Sequence, residues 1–314
     1  RCWSTVSART AARRLSERCT EHACATSTST RRCATSRPSC RTHIRTGRSG
    51  TDCDAYSLPT VTRMDVIVMS RGHASPSDQP FVWHGVLDPG LLHDQIVTGS
   101  HRFADAAKAG DWSAVLNMLD DPTLPIDINW WRPGGTAWFT VLHQAAWHGA
   151  PANVVAGLIR RGALLSLTES RGRTAYDVFM DRARKIQSGK GVGVAQESRT
   201  LLAQQLMPPP SPLSSHEIHS LDGHLAEVID GRIRGVLFDG RNPREVLRYP
   251  PVGILHEVPD QHVWFPVPGM YGGFDIRLQE NFLDVKSWCR VVGGSGEEHL
   301  ITSAGAILVD EGFA

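Results

Sequence analysis

Cys289 and His299 are the two residues of this 314-residue chain whose types and placement could do covalent chemistry. Cys289, in Ser287-Trp288-Cys289-Arg290, is the only cysteine beyond position 53, and His299 falls on the next predicted strand. A thiolate nucleophile needs a base within hydrogen-bond reach and a lowered pKa, which partner strands of a hairpin could supply. Alternation along the strand points Cys289 the same way as Ser287 and Val291, which suits a small residue filling a core equally well. Catalytic residues are therefore unassigned, with Cys289 and His299 as the candidates.

Other residues suit binding better than reaction. Trp130, Trp131, Trp138 and Phe139 fall within ten residues of a predicted connection. Four large aromatic side chains are costly to leave in water, and tryptophan is enriched where binding energy concentrates, so they either contact a partner or pack internally. Trp147 and His148, at the end of a predicted helix, are candidates of the same kind. Gly189-Lys190-Gly191-Val192-Gly193 has glycines like a phosphate-cradling loop but neither a preceding strand nor the trailing Gly-Lys-Ser/Thr, so it reads as a mobile loop. The run from Trp264 to Phe274 interleaves aromatics with Pro and Gly. With Arg248, Arg277 and Arg290 near it in sequence, it suits either a core or a pocket for a small acidic ligand.

The elements that must position these residues show an internal recurrence. Ala106-Ala107, Gly110, Val115 and Leu119 return as Ala145-Ala146, Gly149, Val154 and Leu158, each displaced by 39 residues. An alanine pair lets one helix approach a neighbour, glycine permits a tight turn, and Val and Leu four apart share a face of the next helix. In the second copy Thr140-Val141-Leu142-His143 precedes the alanine pair and Gly162-Ala163 closes the unit. A third start, Gly172-Arg173-Thr174-Ala175-Tyr176-Asp177, follows, with a second helix near 197–206. This order resembles the ankyrin repeat. The resemblance implies about three degenerate, bacterial-type repeats over residues 101–207, a lead-in and N-terminal cap over 64–100, and a structural role for His143 in bonds between neighbouring loops. It also implies a finger loop at Trp130 to Phe139 and another protein as the partner.

Pro208-Pro209-Pro210-Ser211-Pro212 cannot continue a helix, so 208–213 reads as a hinge. Ser214 or Ser215 then caps a helix whose stripe is Ile218, Leu221, Leu225, Val228 and Ile229. Short β-type runs follow at 235–238, 252–258, 262–267, 272–278, 282–292, 299–302 and 306–309, with Gly293 to Gly296 as a hairpin connection. Residues 214–314 are thus expected to form a smaller α+β domain with a mainly antiparallel sheet.

Charge is unevenly spread. Residues 1–63 hold twelve arginines, no lysine and four acids; 64–213 balance at thirteen of each sign; 214–314 carry eight bases and fifteen acids. Six of the seven cysteines lie in the first segment, at spacings that match no paired zinc motif. Its Arg, Ser, Thr, Cys and Ala content reads as a disordered arm or as out-of-frame translation upstream of a start at Met64 or Met69. The arginine-to-lysine imbalance of the chain points to a high-GC bacterial genome. Nucleic-acid binding is expected only if that head is translated, since an acidic C-terminal part repels phosphate. No run of 18 apolar residues exists, so a membrane span is not expected and the cytoplasm is the expected compartment.

Taken together, the expected architecture is an α-helical ankyrin-like repeat array followed by a smaller α+β domain. The expected function is protein–protein recognition, with the C-terminal domain as cap or second binding module and no cofactor or metal. The alternative is a C-terminal enzyme or small-ligand domain carried to its target by the repeats.

Overall fold

The computed structural model describes residues 79–188, 196–234, 240–290 and 294–312, all within one compact unit. The arginine-rich head, both candidate start methionines, the Gly189 to Gly193 loop and the expected strand at 235–238 lie outside the described residues.

Six helices occupy the first half: α1 (Asp94–Ala109), α2 (Trp112–Asp120), α3 (Val141–His148), α4 (Ala152–Arg160), α5 (Ala175–Ser188) and α6 (Gln196–Leu206). Small residues set their spacing, because Ala145 and Ala146 are fully buried and let α3 lie close to both α1 and α5. Gly149 ends α3 with φ of 62°, a left-handed cap that a Cβ would strain. At the start of α2 the Asp111 carboxylate accepts the Ala114 N–H at 3.0 Å. Val115, Leu142, Val155, Leu158, Val178 and Leu206 close a helical core.

The second half begins with α7 (Ser215–Ile233), whose N-terminus is a reciprocal cap. The Ser214 hydroxyl accepts the Glu217 N–H at 3.3 Å and the Glu217 carboxylate accepts the Ser214 N–H at 2.8 Å. Leu221, Leu225, Ile229 and Ile233, spaced at four, form its buried stripe. After the single turn α8 (Pro243–Val246) comes a sheet of β1 (Phe81–Val82), β2 (His262–Val267), β3 (Gly272–Gln279), β4 (Phe282–Cys289), β5 (Gly296–Thr302) and β6 (Gly305–Gly312), in that spatial order. Alternation places Val263, Phe265, Phe274, Ile276, Leu283, Val285 and Ile301 on the inner face, each fully buried. Burial of side chains of this size is worth about 1.5–3 kcal/mol apiece.

The expected repeat array with a separate, smaller α+β domain is not what the chain forms. The helices are short and scattered rather than an obvious array, and a six-stranded sheet shares its core with them. The sheet is also mixed: β1 pairs parallel to β2, and the other neighbours are antiparallel. The physical reason is that residues from the lead-in and from the helical connections enter the sheet's core. Trp83, Trp130, Trp131, Leu164 and Leu167 belong to the same buried cluster as Leu225, Leu247, Phe265 and Ile276. The recurrence at 39 residues marks helix-packing needs that any two close helix pairs share, and the intervening stretches, 121–140 and 161–174, are unalike.

Hydrogen bonds reinforce this joint. Glu257 accepts the N–H groups of Leu165 and Ser166 at 2.7 and 2.5 Å. The Asn129 side chain accepts from Leu164 N and donates to the Gly162 carbonyl, both at 2.8 Å. Arg248 N–H donates to the Gly85 carbonyl at 2.6 Å, and the Trp83 indole N–H donates to the Arg248 carbonyl at 2.7 Å. Backbone approaches so closely here that a Cβ on Gly85 would stand 2.1 Å from that carbonyl oxygen.

Residues 252–258 were expected as a strand and instead form a 3-10 helix, Val252–Glu257, followed by another at Pro259–Gln261. Pro251 and Pro259 bracket the segment without N–H donors, and Asp222 of α7 takes the Val252 N–H at 2.7 Å. Among the described residues no helix is long and apolar enough to cross a membrane.

Candidate functional site

The six aromatic and histidine candidates separate into two groups. Trp130 and Trp131 are 8% and 3% exposed, Trp138 is half-buried against the same cluster, and Phe139 packs on the helical core beside His143. Trp83, Trp131 and Trp138 surround the Arg248 guanidinium, whose carbon lies 5.6, 4.9 and 4.7 Å from their ring centres. Arg248 donates to the Thr168 carbonyl at 2.6 Å, and burial pushes its pKa down to about 10. This is an internal strut of cation–π contacts, and it packs Trp131 and Trp138 inward, with Trp138 and Phe139 only half-buried.

Trp147 and His148 face outward. Both sit in the last turn of α3, whose preceding residues Val141, Leu142, His143, Ala145 and Ala146 are buried. The two residues lie at the helix end, just before the Gly149 cap, and Trp147 is 44% exposed. The guanidinium carbon of Arg182 on α5 lies 5.5 Å above the Trp147 ring. On the other side the His148 Nε2–H donates to the Lys108 carbonyl at 2.9 Å, and the His148 ring meets Trp112 edge-on at 5.9 Å. Trp112, His148, Trp147 and Arg182 thus form a ladder across α2, α3 and α5. The sequence marked the middle two. Trp112 was missed because it begins a helix, and Arg182 because a basic spot beside Arg184 and Lys185 reads as a solvated face.

His143 is structural. The Thr140 N–H can only donate to its Nδ1, at 3.4 Å, so the proton sits on Nε2 and is donated to the Arg173 carbonyl at 3.2 Å. Burial lowers its pKa to about 4, which keeps the ring neutral.

Cys289 and His299 are not brought together. His299 is paired with Val285, four residues along β4 from Cys289, a separation of about 13 Å. The Cys289 thiol donates to the Met270 carbonyl at 2.9 Å, and burial lowers the His299 pKa. Arg248, Arg277 and Arg290 do not converge either: Arg248 is caged, Arg277 pairs with Asp275 at 3.3 Å, and Arg290 is exposed. Phe265 and Phe274 are core residues, while Trp264 stacks on Trp288 at 4.7 Å. Among the described residues no group of three or more His, Cys, Asp or Glu could hold a metal ion.

No protein-family model matches the chain, and no curated protein matches it either.

Proposed function

We propose that this chain is a protein-recognition module of the bacterial cytoplasm whose partner contacts the ladder Trp112, His148, Trp147 and Arg182. One observation carries the reading. Trp147 is held on a helix whose first six residues are largely buried, yet keeps 44% of its surface in solvent with a cation over its ring. Aromatic and arginine side chains of this kind concentrate binding energy, and a preordered helix lowers the entropic cost of engagement. In this reading the sheet acts as a cap that stiffens the helices.

The test is affinity capture from lysate of the source cells with the full chain, the Trp147→Ala variant and the Arg182→Ala variant. A protein held by the parent and lost by both variants, at unchanged melting temperature, is the expected outcome. Equal capture by all three, or by none, refutes the ladder as the contact surface.

A further inference from the structure

The sheet has two very different edges. Among the described residues one is β1, two residues long, and the other is β6, eight residues long and paired only with β5. Along β6, Ile307, Leu308 and Val309 are 66%, 47% and 53% exposed. Natural sheets blunt free edges with lysine, proline or inward-pointing charge. Gly305-Ala306-Ile307-Leu308 has none of these, whereas a register shift opposite Glu298 and His299 bulges Val309 out of the ladder and, with Asp310 and Glu311, blunts the far end of the strand. The regular free edge is therefore Gly305 to Leu308, with alternate residues turning their N–H and C=O outward.

We propose that β6 is a self-association edge, at which two copies of this chain pair antiparallel about a two-fold axis near Ile307. Two observations favour a second copy. The opposite edge, two residues long among the described residues, is shorter than the four-residue edge Gly305 to Leu308, so pairing through β6 closes at a dimer and does not propagate. The charges are also placed for it. Asp310 and Glu311 sit at one end of the strand, so an antiparallel copy sets them over its Ser303-Ala304 turn, whereas a parallel copy would stack acid on acid. One strand pair buries less than the roughly 1,200 Å² typical of stable interfaces, so the dimer is weak and concentration-dependent.

Sedimentation equilibrium of the full chain over a range of concentrations tests this, with hydrogen exchange read at 305–308. The expected result is a mass that rises toward twice the protomer's, with exchange at these residues slowing in step. Ile307→Lys should weaken association by at least about tenfold, by placing two lysines side by side. Ser303→Lys, facing the acids of the other copy, should tighten it and make it salt-sensitive. Circular dichroism and melting confirm that both variants fold. A monomer at every concentration, a dimer indifferent to Ile307→Lys, or protection of 305–308 only when an unrelated extended peptide is added would each overturn the proposal.

Discussion

Arg248 stands with its guanidinium carbon 4.7 Å from the centre of the Trp138 ring, which ties a residue beside the sheet to the connection between α2 and α3. Trp83 and Trp131 complete the enclosure, so two separate stretches of chain, the lead-in and the α2–α3 connection, meet on one cation. A flat guanidinium can face several rings and still donate in its own plane to Thr168, which an ammonium cannot.

Arg248→Lys should therefore destabilise the protein by about 2 kcal/mol although the charge is kept. The midpoint of urea unfolding at neutral pH reports this. An unchanged midpoint would mean that the rings pack without help from the cation.

His143 predicts an acid limb to stability. Its folded pKa of about 4 lies below the value near 6.5 of an exposed histidine, so the unfolded chain binds the proton more readily between these pH values. The contribution is complete above the unfolded value and declines as pH falls toward the folded one, by up to about 3 kcal/mol in total. His143→Gln should flatten this limb while lowering stability at pH 7. A variant whose stability tracks pH as the parent's does would assign the limb to other groups.

Cys289 should be a slow thiol. It is half-buried and donates to the Met270 carbonyl, with no base at hand. Alkylation by iodoacetamide, followed at Cys289 by peptide mass mapping, should run at least about tenfold slower in the native protein than in urea. Native alkylation as fast as in the unfolded chain would revive a nucleophilic role.

Much of this structure is readable from local pattern. The stripe Leu221, Leu225 and Ile229 predicts α7, and the choice of Ser214 or Ser215 as its cap falls to Ser214, with Glu217 as the unforeseen other half of the cap. Alternation finds β2 to β6 within a few residues of their ends. The cores they build were legible too, because burial there follows period. What was not legible depends on residues far apart in the chain. Phe81 and Val82 lie in a stretch rich in Pro, Gly and Ser, and only the backbone of Val263 and Trp264 makes them a strand. Without that pairing the helical and sheet halves read as separate domains.

The aromatic candidates show the same limit more sharply. Trp131 and Trp147 are the same residue type, one in the middle of the α2–α3 connection and the other at the end of α3. One is buried because Arg248, 117 positions after it, arrives with an opposing cation; the other stays outside because only Arg182, on a neighbouring helix, reaches it. Composition cannot distinguish those fates. Likewise Trp112 gains its place in the ladder only through the His148 ring.

The bond from the Trp83 indole to the Arg248 carbonyl spans 165 residues. A ribosome adding roughly 5–20 residues per second takes on the order of ten to thirty seconds to cover that distance. For the later part of that interval Trp83, Trp130 and Trp131 have all been made while the strands that will bury them do not yet exist. The nascent chain thus carries tryptophans that are buried in the folded protein without their cover until β2 appears.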